Sequence, residues 1–225
     1  MSDLRDVLAR AGGGSTVAAS ARVMSLDELC AHRGGLLEAT GEHWSFAAMR
    51  GRLVEISARG ATAALTAAVG LIVEAQTAAE PVAWMMLPAG GFYPPDVADN
   101  GVDLAALIVV RVADATIAAR ATERVLRSGG FGLVVLDLGS SAELSMAHQG
   151  RLMTLAQTHD AAVVCLTDKT SETASLGPLV SLRAEALRRQ EPGGDLTVIL
   201  RALKDKRRGP GWISAERHRG PAGLI

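Results

Sequence analysis

Apolar and polar residues along the chain form two alternating patterns. Short, nearly continuous apolar runs are typical of strands buried on both faces. These runs lie at 53–56, 82–87, 106–110, 133–138 and 161–167. Longer segments between them carry apolar residues every three or four positions and predict helices at 62–79, 114–127 and 142–159. Because strands alternate with helices, the chain is predicted to be an α/β protein with a mainly parallel sheet covered by helices on both faces.

The C-terminal third changes to a period of two. Val180, Leu182, Ala184 and Ala186 alternate with polar residues, and a second alternating run follows at 196–200. The two runs flank Pro-Gly-Gly-Asp at 192–195, which is a typical turn sequence. This pattern predicts an antiparallel hairpin at the edge of the sheet, and residues 212–214 could add a further strand.

Composition sets the class of protein and its organisation. A chain of 225 residues that is 48% hydrophobic and 21% charged is long enough to bury one substantial core. It has no apolar run near the ~20 residues of a membrane span. Cys30 and Cys165 lie far apart and indicate no disulfide framework, so a reducing cytoplasm is expected. We expect N-terminal helices and a Gly-rich linker at 1–43, a core domain at 44–203 and a basic C-terminal tail at 204–225.

The segment after the first strand has the outline of a phosphate-binding loop without its chemistry. A strand, a loop of small residues and an apolar helix form the frame of the GxxxxGK[ST] motif. The motif needs a lysine for the β- and γ-phosphates and a hydroxyl for Mg²⁺. Arg59 and Gly60 lie in this loop, but Ala63, Ala64 and Leu65 occupy the Gly-Lys-Ser/Thr positions. The sequence therefore predicts an ATPase-shaped protein that does not hold ATP.

One face of the helix at 62–79 is expected to be buried. Its apolar residues are Ala64, Leu65, Ala68, Val69, Ile72 and Val73.

Three segments resemble the RecA recombinase core. Gly51-Arg52-Leu53-Val54-Glu55-Ile56 is similar to the strand before the RecA phosphate loop, and the similarity runs without a gap to Gln76. The run Gly132–Leu138 resembles the Walker B strand, with Asp137 as its acid, and Lys204-Asp205-Lys206 resembles the Lys-Asn-Lys of RecA. In that family the two lysines reach toward the nucleotide of the neighbouring subunit. The resemblance implies a RecA-like fold.

Further segments are more similar to a narrower family, the ImuA accessory proteins of bacterial inducible mutagenesis. They are Phe92-Tyr93-Pro94-Pro95, the segment 101–111, Leu126-Arg127-Ser128-Gly129 and Leu-Val-Ser-Leu-Arg at 179–183. This resemblance implies a non-catalytic regulatory or adaptor protein in SOS-induced translesion DNA synthesis. Its expected partners are RecA and an ImuB-like homologue of the Y-family polymerases, and it also allows self-association.

Charge singles out the C-terminal region as a partner surface. Residues 183–225 carry ten Lys and Arg against five acids, while the whole chain has a net charge of −1. Such asymmetry indicates a face that binds nucleic acid or an acidic protein surface. The candidate partner-binding residues are Lys204, Lys206, Arg207, Arg208 and Trp212.

Two readings of this surface remain open. Aromatic residues make up only 3% of the chain, which weighs against stacking of single-stranded bases. We therefore favour a protein partner, with weak binding of single-stranded DNA allowed. The alternative is a RecA paralogue that binds single-stranded DNA directly through the basic C-terminal face. No His, Cys or carboxylate set has metal-ligand spacing, so neither a metal nor a cofactor is expected.

Overall fold

The computed structural model describes residues 43–58, 63–140, 142–191 and 195–218, which belong to one compact unit. The helices expected near the N-terminus and the linker at 11–15 lie outside these residues, as does the whole predicted segment 1–43 except His43. The described part contains eight strands. They are β1 Arg52–Ser57, β2 Val82–Met86, β3 Leu107–Arg111, β4 Leu133–Gly139, β5 Ala162–Thr167, β6 Leu182–Gln190, β7 Leu196–Asp205 and β8 Ile213–His218.

Five α-helices and one short 3₁₀ helix accompany these strands in the described residues. They are α1 Phe46–Met49, α2 Ala64–Thr77, α3 Pro94–Asp99, the 3₁₀ helix Leu104–Ala106, α4 Ala115–Arg127 and α5 Met146–Thr158. The backbone N–H of Ile117 bonds to Asp114, and that of His148 bonds to Ser145. These side-chain caps fix where α4 and α5 begin, so α5 starts later than the expected residue 142.

All eight strands form one sheet in the order β3-β2-β4-β5-β1-β6-β7-β8. Strands β1 to β6 are parallel to one another, whereas β7 is antiparallel to both β6 and β8. The α/β class, the mainly parallel sheet and the antiparallel hairpin at the C-terminal end are thereby confirmed. The segment expected as a basic tail is different: β7 extends to Asp205 and β8 follows, so the chain remains in the sheet as far as His218.

Alternation along the strands separates two apolar layers. Val54 and Ile56 of β1 face the layer that contains α2, whereas Leu53 faces the layer that contains α4 and α5. Successive side chains of a strand point to opposite faces, so each strand contributes to both layers. Helices therefore cover both faces of the sheet, as the sequence predicts.

The buried face of α2 differs from the expected one. The helix buries Ala67, Ala68, Leu71, Ile72 and Ala75, while Leu65 is 43% exposed. Since α2 is apolar around most of its circumference, its periodicity does not single out one face. Among the described residues, no helix combines the length and apolar character that a membrane span requires.

Candidate functional site

Where the junction between β1 and α2 is described, it carries apolar side chains at positions where a phosphate loop has polar ones. Ala63 is buried and lies directly before α2, with no side chain capping the helix there. Ala64 is half-buried and Leu65 is exposed. Arg59, Gly60 and Thr62, which complete this loop, lie outside the described residues. The described part of the junction thus offers methyl and isobutyl groups, which cannot neutralise phosphate charge.

Asp137 and this junction both lie at the C-terminal ends of the parallel strands. In register, Asp137 pairs with Leu166 of β5, and Leu166 pairs with Ile56 of β1. One strand therefore separates the strand that carries the acid from the strand that precedes the loop. Both strands run in the same direction, so Asp137 and the end of β1 meet at the C-terminal edge of the parallel strands. Open α/β sheets commonly bind ligands at this edge.

A glycine turn covers the Asp137 carboxyl group. The residue is only 8% exposed, the backbone N–H of Gly91 acts on its carboxyl and lowers the pKa, and its Oδ2 has no hydrogen-bond partner in the described structure. A methyl group added to Gly90 would lie 2.8 Å from this Oδ2. The turn is closed by the Gly90 N–H, which donates to the Leu87 carbonyl at 2.9 Å, and Phe92 packs on Trp84.

Burial changes the chemistry of this acid. It raises the pKa of the Asp137 carboxyl above its ordinary value, because the charged form loses contact with water, although the bond from Gly91 opposes the shift. The neighbouring strand β2 ends in buried Met86 and Leu87 and supplies no second carboxylate. The carboxyl of Asp137 is therefore held by packing against a glycine turn.

A buried polar network lies on the α5 side of β1 and was not expected from the sequence. Glu55 is fully buried; its Oε1 accepts a bond from the Thr167 hydroxyl at 3.0 Å, and its Oε2 accepts one from the Leu176 N–H at 2.9 Å. The Arg183 Nε and the Lys169 Nζ lie 3.9 and 4.0 Å from Glu55 Oε1. An acid inside an apolar strand was the available signal, because buried carboxylates are found with partners.

Arg183 extends this network into the connection between β5 and β6. Its Nε donates to the Ser57 hydroxyl at 3.1 Å, and its terminal nitrogens donate to the carbonyls of Thr170 and Thr173. Within residues 168–181, the carbonyls of Thr170 and Thr173 and the N–H of Leu176 are therefore bonded to buried charged side chains. These bonds hold the connection between β5 and β6 against the rest of the described domain.

Lys204 and Lys206 fasten the same connection from the other side. The Lys204 Nζ lies 3.3 Å from the Gly177 carbonyl oxygen and 3.4 Å from that of Pro178, and the Lys206 Nζ lies 2.5 Å from the Pro178 oxygen. Burial, and then the charge of Lys206, lowers the pKa of Lys204. These two predicted partner-binding residues thus contact their own domain.

Trp212 is also held within the domain. It is half-buried, its Nε1 donates to Asp205 Oδ2 at 3.0 Å, and its ring lies 5.6 Å from that of His43. The indole nitrogen of this candidate partner-binding residue therefore already has a partner within the domain. Lys206, Arg207 and Arg208 are the exposed members of the predicted partner surface, and the Arg207 Nη2 also donates to the Arg50 carbonyl at 3.2 Å.

No metal-binding group is found in the described residues, since no three His, Cys, Asp or Glu side chains come together there. The residues described at the C-terminal ends of the parallel strands include the covered Asp137, the buried hydroxyls of Ser57 and Thr167, and apolar side chains. The residues near Lys204 to Trp212 supply internal clamps and two exposed arginines.

Neither the models of known protein families nor the curated proteins gave a match to this chain.

Proposed function

We propose that the chain is a non-catalytic, RecA-like adaptor of SOS-induced translesion synthesis that binds RecA and an ImuB-like polymerase homologue. One combination of features carries the proposal. Ala63, Ala64 and Leu65 lie at the start of α2, and the Asp137 carboxyl is covered by a glycine turn. A protein with this sheet and these substitutions keeps the outline of a nucleotide-binding domain. At the positions that would bind phosphate and Mg²⁺ it carries apolar side chains, which pack instead of binding a nucleotide.

The sheet supports the RecA-like part of the proposal. The strand before the degenerate loop and the strand that carries Asp137 are parallel and separated by one strand, so the two elements resembling RecA motifs lie at the same edge. The third resembling element, Lys204-Asp205-Lys206, lies at the end of β7. Asp205 of this element pairs with the beginning of β6, whereas Asp137 lies near the C-terminal end of β4.

The adaptor role rests on what the chain leaves exposed. Lys204 and Lys206 bond to carbonyls of residues 177 and 178. Arg207 and Arg208 in the following turn are exposed, and Arg207 also donates to the Arg50 carbonyl at 3.2 Å. Guanidinium groups pair well with carboxylates and are frequent interface hot spots. We therefore assign contact with an acidic protein surface to Arg207 and Arg208, while the two lysines hold the supporting turn.

The test is capture of purified RecA and of the ImuB-like partner by the full-length chain. Reversing Arg207 and Arg208 to Glu is expected to weaken capture, and the exposed Arg188→Glu on β6 is the matched control with one charge reversed elsewhere. Thermal denaturation shows whether each variant keeps its fold. If the wild type captures neither protein, the proposal is wrong.

Single-stranded DNA separates the two readings of the basic surface. Binding is measured by fluorescence anisotropy at several salt concentrations, because phosphate contacts give a steep salt dependence. If the double arginine variant retains RecA and loses DNA, a DNA-binding paralogue replaces the adaptor as the better account.

A further inference from the structure

A groove of about 350 Å³ lies between helix α2 and the neighbouring surface of β7 and β8. Val198 pairs with Glu216 and Leu200 pairs with Ser214 across these two strands, so the four side chains lie on one face of the sheet. Val198 and Leu200 belong to the apolar layer that contains α2, and they form the apolar floor of the groove. Its volume is within the range of protein binding sites.

The wall that α2 contributes is open because of a glycine. Thr66, Gly70 and Glu74 recur every four residues along the part of α2 that lines the groove, which is about 12 Å of helix. A methyl group added to Gly70 would meet no atom within 4 Å in the described structure. Alanine would therefore fit and would favour the helix, because glycine is destabilising inside a helix. Glycine leaves this surface of α2 without a side chain, which allows another chain to approach the helix closely.

The charged side chains on the two sides of the groove are acidic. Glu74 lies on α2 and Glu216 on β8, and the described lining residues include no lysine or arginine. The side chain of Glu216 is 75% exposed, and the His218 Nε2, 3.8 Å from its Oε2, is beyond hydrogen-bond distance. Glu74 is exposed and forms no ion pair with a described residue; its Oε2 accepts a bond from the Phe46 N–H at 2.6 Å. The groove is therefore complementary to a cation.

An aromatic ring lies at the Glu74 end of the groove. Glu74 bonds to the backbone of Phe46, two residues after Trp44, and Trp44 itself is a lining residue. A guanidinium group is planar, so it stacks on an aromatic ring and also pairs with a carboxylate through two parallel bonds. An ammonium group has no planar face to stack. The combination of Trp44 with a carboxylate therefore favours arginine over lysine.

We propose that this groove binds an extended segment of a partner protein that carries arginine among small or apolar residues. Glu74 and Glu216 pair with its guanidinium groups, and the apolar floor contacts the residues beside them. The missing side chain at Gly70 gives the partner backbone room to pass along α2. The lining residues are different from those of the Arg207–Arg208 surface, and the inference does not rest on the proposed function.

The experiment is selection from a random peptide library displayed on phage, with the full-length chain as bait, followed by fluorescence anisotropy of the selected peptides. These peptides are expected to contain arginine next to small or apolar residues. Replacing that arginine with lysine should weaken binding on the order of tenfold. In NMR spectra, the selected peptide should shift the indole N–H resonance of Trp44 and leave that of Trp84 unchanged, because Trp84 is fully buried in β2.

Two variants test the groove from its opposite sides. Gly70→Leu fills the space beside α2 and should weaken binding on the order of tenfold or more, while thermal stability should not fall, because leucine is a better helix former than glycine. Glu216→Gln removes one carboxylate from an exposed position on β8 and should weaken binding on the order of tenfold without changing stability.

Matched controls are available on another helix. Ala147→Leu adds the same side chain at an exposed position of α5, and Glu143→Gln neutralises an exposed acid just before α5. Neither residue lines the groove, so neither change should affect binding of the selected peptides. The proposal is overturned if no peptide is enriched, if the enriched peptides lack arginine, or if they bind Gly70→Leu as well as wild type.

Other occupants of the groove are distinguished with the same probes. If free spermidine binds as tightly as the selected peptides and Glu216→Gln weakens both equally, the groove is a site for small cations and the proposal is wrong. Arg219 follows His218 in the sequence. If Arg219→Ala raises the affinity for the selected peptides, this arginine of the chain itself competes for the groove and replaces the partner as its occupant.

Discussion

Arg52 and Asp205 form a buried ion pair that joins the first strand to the seventh. The Arg52 Nη2 lies 2.5 Å from Asp205 Oδ1, and the two side chains are 2% and 1% exposed. Arg52 also donates to the Ser181 hydroxyl and carbonyl, each at 3.0 Å, and Asp205 accepts a bond from Trp212. The pair therefore connects β1, the start of β6, the end of β7 and the turn before β8.

Removing one partner of this pair should be strongly destabilising. Asp205→Asn leaves the Arg52 guanidinium buried without its counter-charge, so we expect the free energy of unfolding to fall by ~3–5 kcal/mol. Urea denaturation followed by circular dichroism measures it. The exposed pair of Arg217 and Asp195 provides the control, because Asp195→Asn there should cost less than ~1 kcal/mol. Equal losses in the two variants would contradict the role assigned to Asp205.

The same pair predicts a dependence of stability on acid pH. Burial tends to raise the pKa of Asp205, but bonds from the Arg207 N–H, Trp212 and Arg52 hold it below its ordinary value of 3.8. Burial also lowers the pKa of Arg52, which nevertheless stays protonated because a guanidinium begins far above neutrality. The stabilisation from Asp205 is thus present above its unfolded pKa and is lost as pH falls through the lower folded value.

This pH effect is checked by comparing wild type with Asp205→Asn. The difference in their free energy of unfolding should be full at neutral pH and should shrink as pH falls below about 4. A difference that remains constant down to the lowest measurable pH would show that Asp205 does not act through its charge.

Lys204 and Lys206 should control the mobility of residues 168–181. Replacing both with Ala removes the bonds to the Gly177 and Pro178 carbonyls, and hydrogen exchange of nearby amides should become faster. Global stability should change little, since Lys206 is exposed and Lys204 only half-buried. Arg207→Ala with Arg208→Ala is the control and should leave exchange in 168–181 unchanged.

Asp137→Asn should make the protein more stable at neutral pH. The substitution keeps an acceptor for the Gly91 N–H and removes a buried charge whose pKa is raised by burial. In the wild type a raised folded pKa stabilises the folded state as pH falls, so the gain of the variant should shrink with falling pH. It should vanish below the ordinary value of 3.8. Denaturation at several pH values measures this, and a loss of stability at neutral pH would refute it.

ATP with Mg²⁺ should give no binding heat in titration calorimetry at millimolar nucleotide. The Lys and hydroxyl positions of the phosphate motif are Ala64 and Leu65, and Asp137 is covered by a glycine turn. The described residues at the start of α2 therefore supply no charged group for phosphate. A micromolar dissociation constant for ATP would contradict the non-catalytic assignment.

The sequence by itself determined the succession of elements. Apolar runs located β1 to β5 within one or two residues, because strands buried on both faces need apolar side chains at every position. Period-two alternation located the β6–β7 hairpin. The sequence also shows directly that Ala63, Ala64 and Leu65 replace the lysine and hydroxyl of the phosphate motif, because residue identity does not depend on the fold.

Only the tertiary structure decided which residues meet. Arg52 and Asp205 are separated by most of the chain, and the sheet order that brings them together is not written in local periodicity. The same holds for Lys204. The charge pattern predicts that it lies on a partner surface, but in the fold its Nζ bonds to the Gly177 carbonyl. The exposed edge of β3 has the same apolar sequence as a buried strand. Local propensity fixes the type of an element, whereas long-range pairing fixes its neighbours and hence which charges and apolar groups stay available.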